Sequence, residues 1–208
     1  MFKTKTIERF PLSTEGSIIR GRDVSFCCAN SVKSEFCEDL QDVEREFMKI
    51  CIYGAGAIGG FLGAYLARAG HEVSLIARGA HLDALRSKGL TLIHGEEKFI
   101  TYPDCAEDPR QVGTTDAVFV TVKGPALAAV GDGIGPLLGA DTPVVFAMNG
   151  LPWWYDHGRD APLTGAASLL DPTGSLRRTV GEKRAIGCVV DCPVRISEPG
   201  MVICNRPT

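Results

Sequence analysis

A cluster of glycines closes the first apolar run of this sequence. Residues 53–60 read YGAGAIGG, after MKICI and before FLGAYLARAG. Gly54-Ala55-Gly56-Ala57-Ile58-Gly59 is the pattern G-x-G-x-x-G. It gains meaning from its setting: a strand before it, a helix after it, and a second strand closing the unit. In such a unit Gly54 makes the tight turn, and Gly56, without a Cβ, lets a pyrophosphate approach the backbone. Gly59 lets the helix pack against the strand. The helix N-terminus then offers free N–H groups and the positive end of its dipole to phosphates. The alternative is a tight turn with no ligand.

The remaining pattern alternates in the same way. Lys49–Tyr53 reads as a buried strand. Ile58, Phe61, Leu62, Tyr65, Leu66 and Ala69 form the apolar stripe of a helix stopped by Gly70. Glu72–Ala77 is a second strand, and Ala80–Lys88 a short helix. Leu90–His94 and Lys98–Tyr102 suggest a hairpin around Gly95-Glu96-Glu97. Asp116–Val122 and Pro143–Met148 are further buried strands, with a glycine-weakened helix after Pro125 between them. Asp171–Val180 reads as a helix capped by Asp171 with Pro172 at its first position. Ala185–Val190 and Met201–Cys204 are late strands. The expected fold is α/β: a Rossmann-like, doubly wound, mostly parallel sheet with helices on both faces.

Residues 1–47 differ in composition. Phe36, Leu40, Val43 and Phe47 fall at helical spacing among acids, so this part is read as an N-terminal extension. It holds one amphipathic helix, docked on the domain or poorly ordered, and 48–208 forms the domain. Met48 looks like the functional start.

The net charge of −3 and the lack of a basic run give no case for nucleic acid. No apolar segment reaches the length of a membrane span, and the start MFKTKTIERF, without a continuous apolar core, is not expected to be a secretory signal. The eight cysteines contain no C-x-x-C pair and the four histidines do not cluster with them, so no metal site is expected. Reduced thiols in a cytoplasmic protein are the expectation.

The end of the second strand bears on the cofactor. An NAD site usually has an acid there to bond the ribose 2′-hydroxyl. In SLIARGAH that place holds Arg78, whose guanidinium can pair with a 2′-phosphate. This favours NADP(H), against the alternative of a solvated loop arginine. Lys123 and Asn149 end the apolar strands VFVTVK and VVFAMN, where open α/β sheets bind ligands. The alternatives are a solvent-facing lysine and an Asn-Gly hairpin turn. Trp153 and Trp154 follow, as packing or as substrate-stacking groups.

MKICIYGAGAIGGFLGAYLARAGHEVSLIARG, DAVFVTVKGPAL, the Met148-Asn149-Gly150 turn, and IGCVV followed by EPGMV together resemble the cofactor domain of the ketopantoate reductases (2-dehydropantoate 2-reductases), from about Met48 to Val202. The resemblance implies that Gly54, Ala55, Gly56, Ala57, Ile58, Gly59 and Arg78 bind NADPH. It also implies that Lys123 lies by the cofactor and that Asn149 contacts cofactor and substrate. The implied reaction is hydride transfer to the 2-oxo group of ketopantoate, giving pantoate for pantothenate and coenzyme A. In the family the proton donor is a lysine of a second, helical domain. That domain is expected to be absent here, so the catalytic lysine is not assigned, and Lys183 and Arg184 are not promoted to it. The Asp191-Cys192-Pro193 stretch departs from the family pattern. Such a chain is expected to bind NADPH and turn over ketopantoate poorly. An apolar face left uncovered invites association, so a homodimer is also an expectation. The competing readings are an inactive NADP-binding module and a reductase of another 2-oxo acid.

Overall fold

A computed structural model of the chain describes residues 47–158 and 169–205. The expectations for residues 1–46, including most of the amphipathic segment, lie outside the described residues.

Strand β1 (Lys49–Tyr53) is apolar on both faces and sits in the interior of a six-stranded sheet. Around it lie β2 (Glu72–Ile76), β5 (Asp104–Ala106), β6 (Ala117–Val120), β7 (Val144–Ala147) and β8 (Ala185–Cys188), in the order β5-β2-β1-β6-β7-β8. Every pair in it is parallel. Burial on both faces explains the near-continuous Val, Ile and Ala runs of β1, β6 and β7. The expected Rossmann-like fold is present.

A second sheet was not expected beyond its hairpin. β3 (Leu90–His94) and β4 (Glu97–Thr101) pair antiparallel, and β10 (Met201–Cys204) adds to β3 in parallel. β9 (Val194–Glu198) completes the order β4-β3-β10-β9. Its residues VRISE alternate apolar and polar only from Val194 to Ser197, and four of the five are exposed, so the stretch is too short and too exposed to stand out as a strand. Its pairing with β10 holds it in place.

Helix α1 (Ala57–Arg68) lies between the two sheets, and the expected apolar stripe makes up only part of its inward surface. Gly59, Gly60, Phe61, Gly63 and Ala64 are buried, while Leu62, Tyr65 and Leu66 are only partly so and Ala69 is exposed. A Cβ on Gly60 would lie 2.7 Å from Val202 of the second sheet, and one on Gly63 2.8 Å from Leu75 of the first. Small residues on both sides let one helix touch two sheets. That contact offsets the roughly 1 kcal/mol a helical glycine costs.

α2 (Gly79–Lys88) and α3 (Leu127–Gly133) follow β2 and β6. The last helix, α4 (Ser175–Thr179), is shorter than expected, because Gly174 in the left-handed region precedes it. Asp171 still caps it, at longer range: its carboxylate accepts the N–H groups of Leu176 (3.2 Å) and Arg177 (3.0 Å). Among the described residues no helix is long and apolar enough to cross a membrane.

Candidate functional site

The chain passes from β1 outward to β2 and β5, then returns to the other side of β1 as β6. The carboxyl ends of β1 and β6 therefore form the switch point where open α/β sheets hold ligands. The glycine loop occupies it.

Three glycines of the loop have three different reasons to be there. Gly54 has φ +103°, and a Cβ on it would meet Val122 at 2.6 Å. Gly59 is fixed by packing: a Cβ would strike the Gly54 carbonyl oxygen and come within 2.6 Å of Thr121 Oγ1 and 2.9 Å of Ile52. Gly56 is different. Its backbone (φ −75°, ψ −158°) suits any residue, and a Cβ there would meet nothing within 4 Å. The described residues give no reason for glycine at that point.

The loop is held by its own backbone and by one side chain. The N–H groups of Gly54 and Ala55 donate to Ile76 O (3.2 and 2.8 Å), and Gly56 N–H donates to Gly54 O (2.7 Å). Thr121 Oγ1 donates to the same Gly54 carbonyl at 2.5 Å, tying β6 to the loop across the switch point. No side chain caps α1 and no acid lies in its first turn. The first-turn N–H groups of Ala57, Ile58 and Gly59 have no intrahelical acceptor. A phosphate would satisfy them.

Arg78 stands two residues past β2, extended, exposed and at the N-cap of α2. Its charge lies close enough to Tyr53 to counter part of the upward shift that burial gives that phenol. His81, one turn on, escaped the sequence reading. Its Nδ1 accepts the Gly200 N–H at 3.1 Å, while its buried Nε2 has no hydrogen-bond partner among the described residues. Burial lowers the imidazole below its ordinary range, and the neighbouring Ala55 backbone partly opposes this. A histidine after an arginine in a polar loop gave no signal of that role.

The other side of the site is a cleft of about 350 Å³. It brings together Ile58 of α1, Thr121 and Lys123 after β6, Asn149 after β7, and Val190 and Cys192 after β8. Lys123 is exposed and caps the short turn Gly124–Ala126. Asn149 is engaged: its Nδ2 donates to Val190 O (2.8 Å) and its Oδ1 accepts Val190 N–H (2.9 Å). This side-chain pair extends the β7–β8 ladder past its last backbone bond. One Nδ2 hydrogen is left for a ligand. The hairpin alternative for Asn-Gly fails, because β7 and β8 are parallel. Arg78 does not line this cleft; it belongs to the β2 end of the site.

Trp153 is 2% exposed and packs edge-on against Phe146 (centroids 5.9 Å) and Trp154 (5.3 Å). Packing is therefore part of its role. Thr121 was legible in principle, as the one hydroxyl in the run AVFVTV. Val190 was not, since it acts only through its backbone. Among the described residues no group of three or more His, Cys, Asp or Glu side chains could hold a metal ion.

A family model described as ketopantoate reductase PanE/ApbA matches residues 50–164. A 2-dehydropantoate 2-reductase of Mesorhizobium japonicum is 43% identical over 157 residues, which are 74% of this chain and 48% of that protein. The crystal structure of a protein described as a ketopantoate reductase, from Ralstonia solanacearum MolK2, superposes with a TM-score of 0.70 at 41% identity. It covers 77% of this chain and 50% of the other. That of 2-dehydropantoate 2-reductase from Porphyromonas gingivalis W83 gives 0.61 at 29% identity, covering 77% and 53%. The chain thus spans about half the length of the relatives it matches.

Proposed function

This chain belongs to the ketopantoate reductase family, a family of nicotinamide-dependent oxidoreductases, and on that premise we propose that it binds NADPH for the reduction of 2-dehydropantoate to pantoate. The observation that carries the reading is the open space over Gly56 at the uncapped start of α1. A ligand-free turn would require Gly54 and Gly59 but would tolerate a side chain at Gly56.

The pyrophosphate would lie on the N–H groups of Ala57, Ile58 and Gly59, with Ala55 and Gly56 beneath it. Arg78 would take the ribose 2′-phosphate, since an acid at that place would repel it. Lys123 and Asn149 would face the nicotinamide end, with Lys123 favouring the anionic 2-oxo acid and the spare Asn149 N–H orienting it. Bound there, the nicotinamide supplies a hydride to the carbonyl carbon, and the new alkoxide takes up one proton. The same membership supports a cytoplasmic role in forming pantothenate and coenzyme A.

NADPH and NADH titrated against the wild-type protein test the cofactor assignment. NADPH is expected to bind more tightly by about 1.5–3 kcal/mol, the worth of a charge-assisted contact. Arg78→Ala should erase the difference. Equal affinities in the wild type would overturn the NADP assignment. Ketopantoate is expected to bind saturably to the NADPH complex. Retained NADPH binding without ketopantoate binding would leave a cofactor-binding module in place of a reductase.

A further inference from the structure

A second cavity, of about 220 Å³, adjoins the cleft and shares Met148 with it. It opens beside Gly150, the residue after Asn149. Phe146, Leu151, Trp153 and Trp154 form its walls, with Gly187 on the β8 side. Among the described residues no charged one lines it. Gly187 narrows it little: a Cβ there would first meet Trp154 at 3.5 Å, an ordinary contact. One polar group in the wall has no partner among the described residues, the buried indole N–H of Trp153.

We propose that this pocket receives the side chain of the 2-oxo acid, so that the chain takes acids with bulky branched or aromatic side chains, ketopantoate among them. The inference rests on the reductase reading and deepens it. Asn149 and Lys123 hold the polar 2-oxo acid head at one side of Met148, and an apolar chamber lies at the other. A dry cavity of about 150 Å³ lined by such residues already admits benzene, so a phenyl or isobutyl group fits here. A methyl group, as in pyruvate, would leave most of the chamber empty. Burial of apolar surface then sets the preference.

The test is calorimetric titration of pyruvate, ketopantoate, 4-methyl-2-oxopentanoate and phenylpyruvate into the protein saturated with NADP+, which prevents turnover. The two hydrocarbon acids are expected to bind about tenfold or more tightly than pyruvate. They should do so with a more negative heat-capacity change, the marker of apolar burial. Gly187→Leu fills the chamber from an exposed strand position. It should weaken the two large acids about tenfold while leaving pyruvate and NADP+ binding unchanged. Leu151→Asp, at a residue 53% exposed, places a charge at the rim and should act in the same direction. Two results would overturn the pocket assignment while the reductase reading stands: equal binding of all four acids, or binding of ketopantoate and both hydrocarbon acids no tighter than that of pyruvate. Binding of NADP+ with none of the acids would remove the reductase reading and the inference with it.

Discussion

The two walls of the cleft are built in different ways. The glycine loop between β1 and α1 is shaped by backbone geometry, close packing and neighbours in the adjacent strands. The opposite wall, from Asn149 to Val190, depends on one side-chain amide reaching across 41 residues of sequence to a backbone. The first wall is rigid because a single added carbon at Gly54 or Gly59 collides with protein. The second is held by two hydrogen bonds at an exposed position and can be released without a collision. Steric constraint fixes where the phosphates would lie, and hydrogen bonding fixes where the reacting end would lie.

The sharpest way to break that contrast is a pair of alanines in the loop. Gly59→Ala puts a methyl group against the Gly54 carbonyl, Thr121 and Ile52. It should cost about 1–3 kcal/mol in chemical denaturation, the usual cost of overpacking, and abolish cofactor binding. Gly56→Ala meets no atom of the described residues within 4 Å. Its stability should stay within about 0.5 kcal/mol of wild type while NADPH affinity falls. Equal destabilisation by both would show that the open space over Gly56 is not reserved for a ligand.

Asn149→Ala should have a middling effect. It removes two hydrogen bonds worth about 0.5–1.5 kcal/mol each, and water can replace part of them at this exposed site. Asn149→Asp keeps the acceptor for Val190 N–H and loses the donor to Val190 O, so its loss should lie between wild type and alanine. A loss from Asn149→Ala as large as that from Gly59→Ala would erase the distinction between the walls.

The smallest effect concerns His81, behind the loop. Its folded-state pKa is lowered, so the folded protein binds fewer protons there than the unfolded chain. The stability it contributes is fully present above its ordinary value of about 6.5 and is lost as pH falls through the lower folded value. Protonation also removes the acceptor for Gly200 N–H. Between pH 7.5 and 5.5 the wild type should lose about 2 °C or less in Tm relative to His81→Gln. A difference of the opposite sign would contradict the burial argument.

Much of the first wall was legible in the sequence. The glycine spacing, the apolar run before it and the stop at Gly70 are local signals, and β1, α1 and β2 lie where those signals put them. Arg78 and Lys123 were visible because strand ends are visible. The second sheet was less so, because β9 carries exposed residues and is defined by its partner. The inward surface of α1 was read only in part for a related reason. Large apolar residues mark a helix that packs on one surface, and this helix packs on two. Asn149 was visible as a residue, but its bond to Val190 was not, because a backbone partner leaves no mark on residue type.

The sequence by itself determined the strand–turn–helix unit, the parallel α/β order, the missing acid after β2 and the family. These follow from short-range periodicity and steric demands, which act within a few residues. Only the tertiary structure decided that Gly56 faces open space while Gly59 faces protein. It also decided that Asn149 closes the β7–β8 edge, and that an apolar chamber walled by Trp153 and Trp154 stands beside the cleft. Those facts depend on which distant segments meet, and contact across tens of residues is set by the packing of the whole sheet.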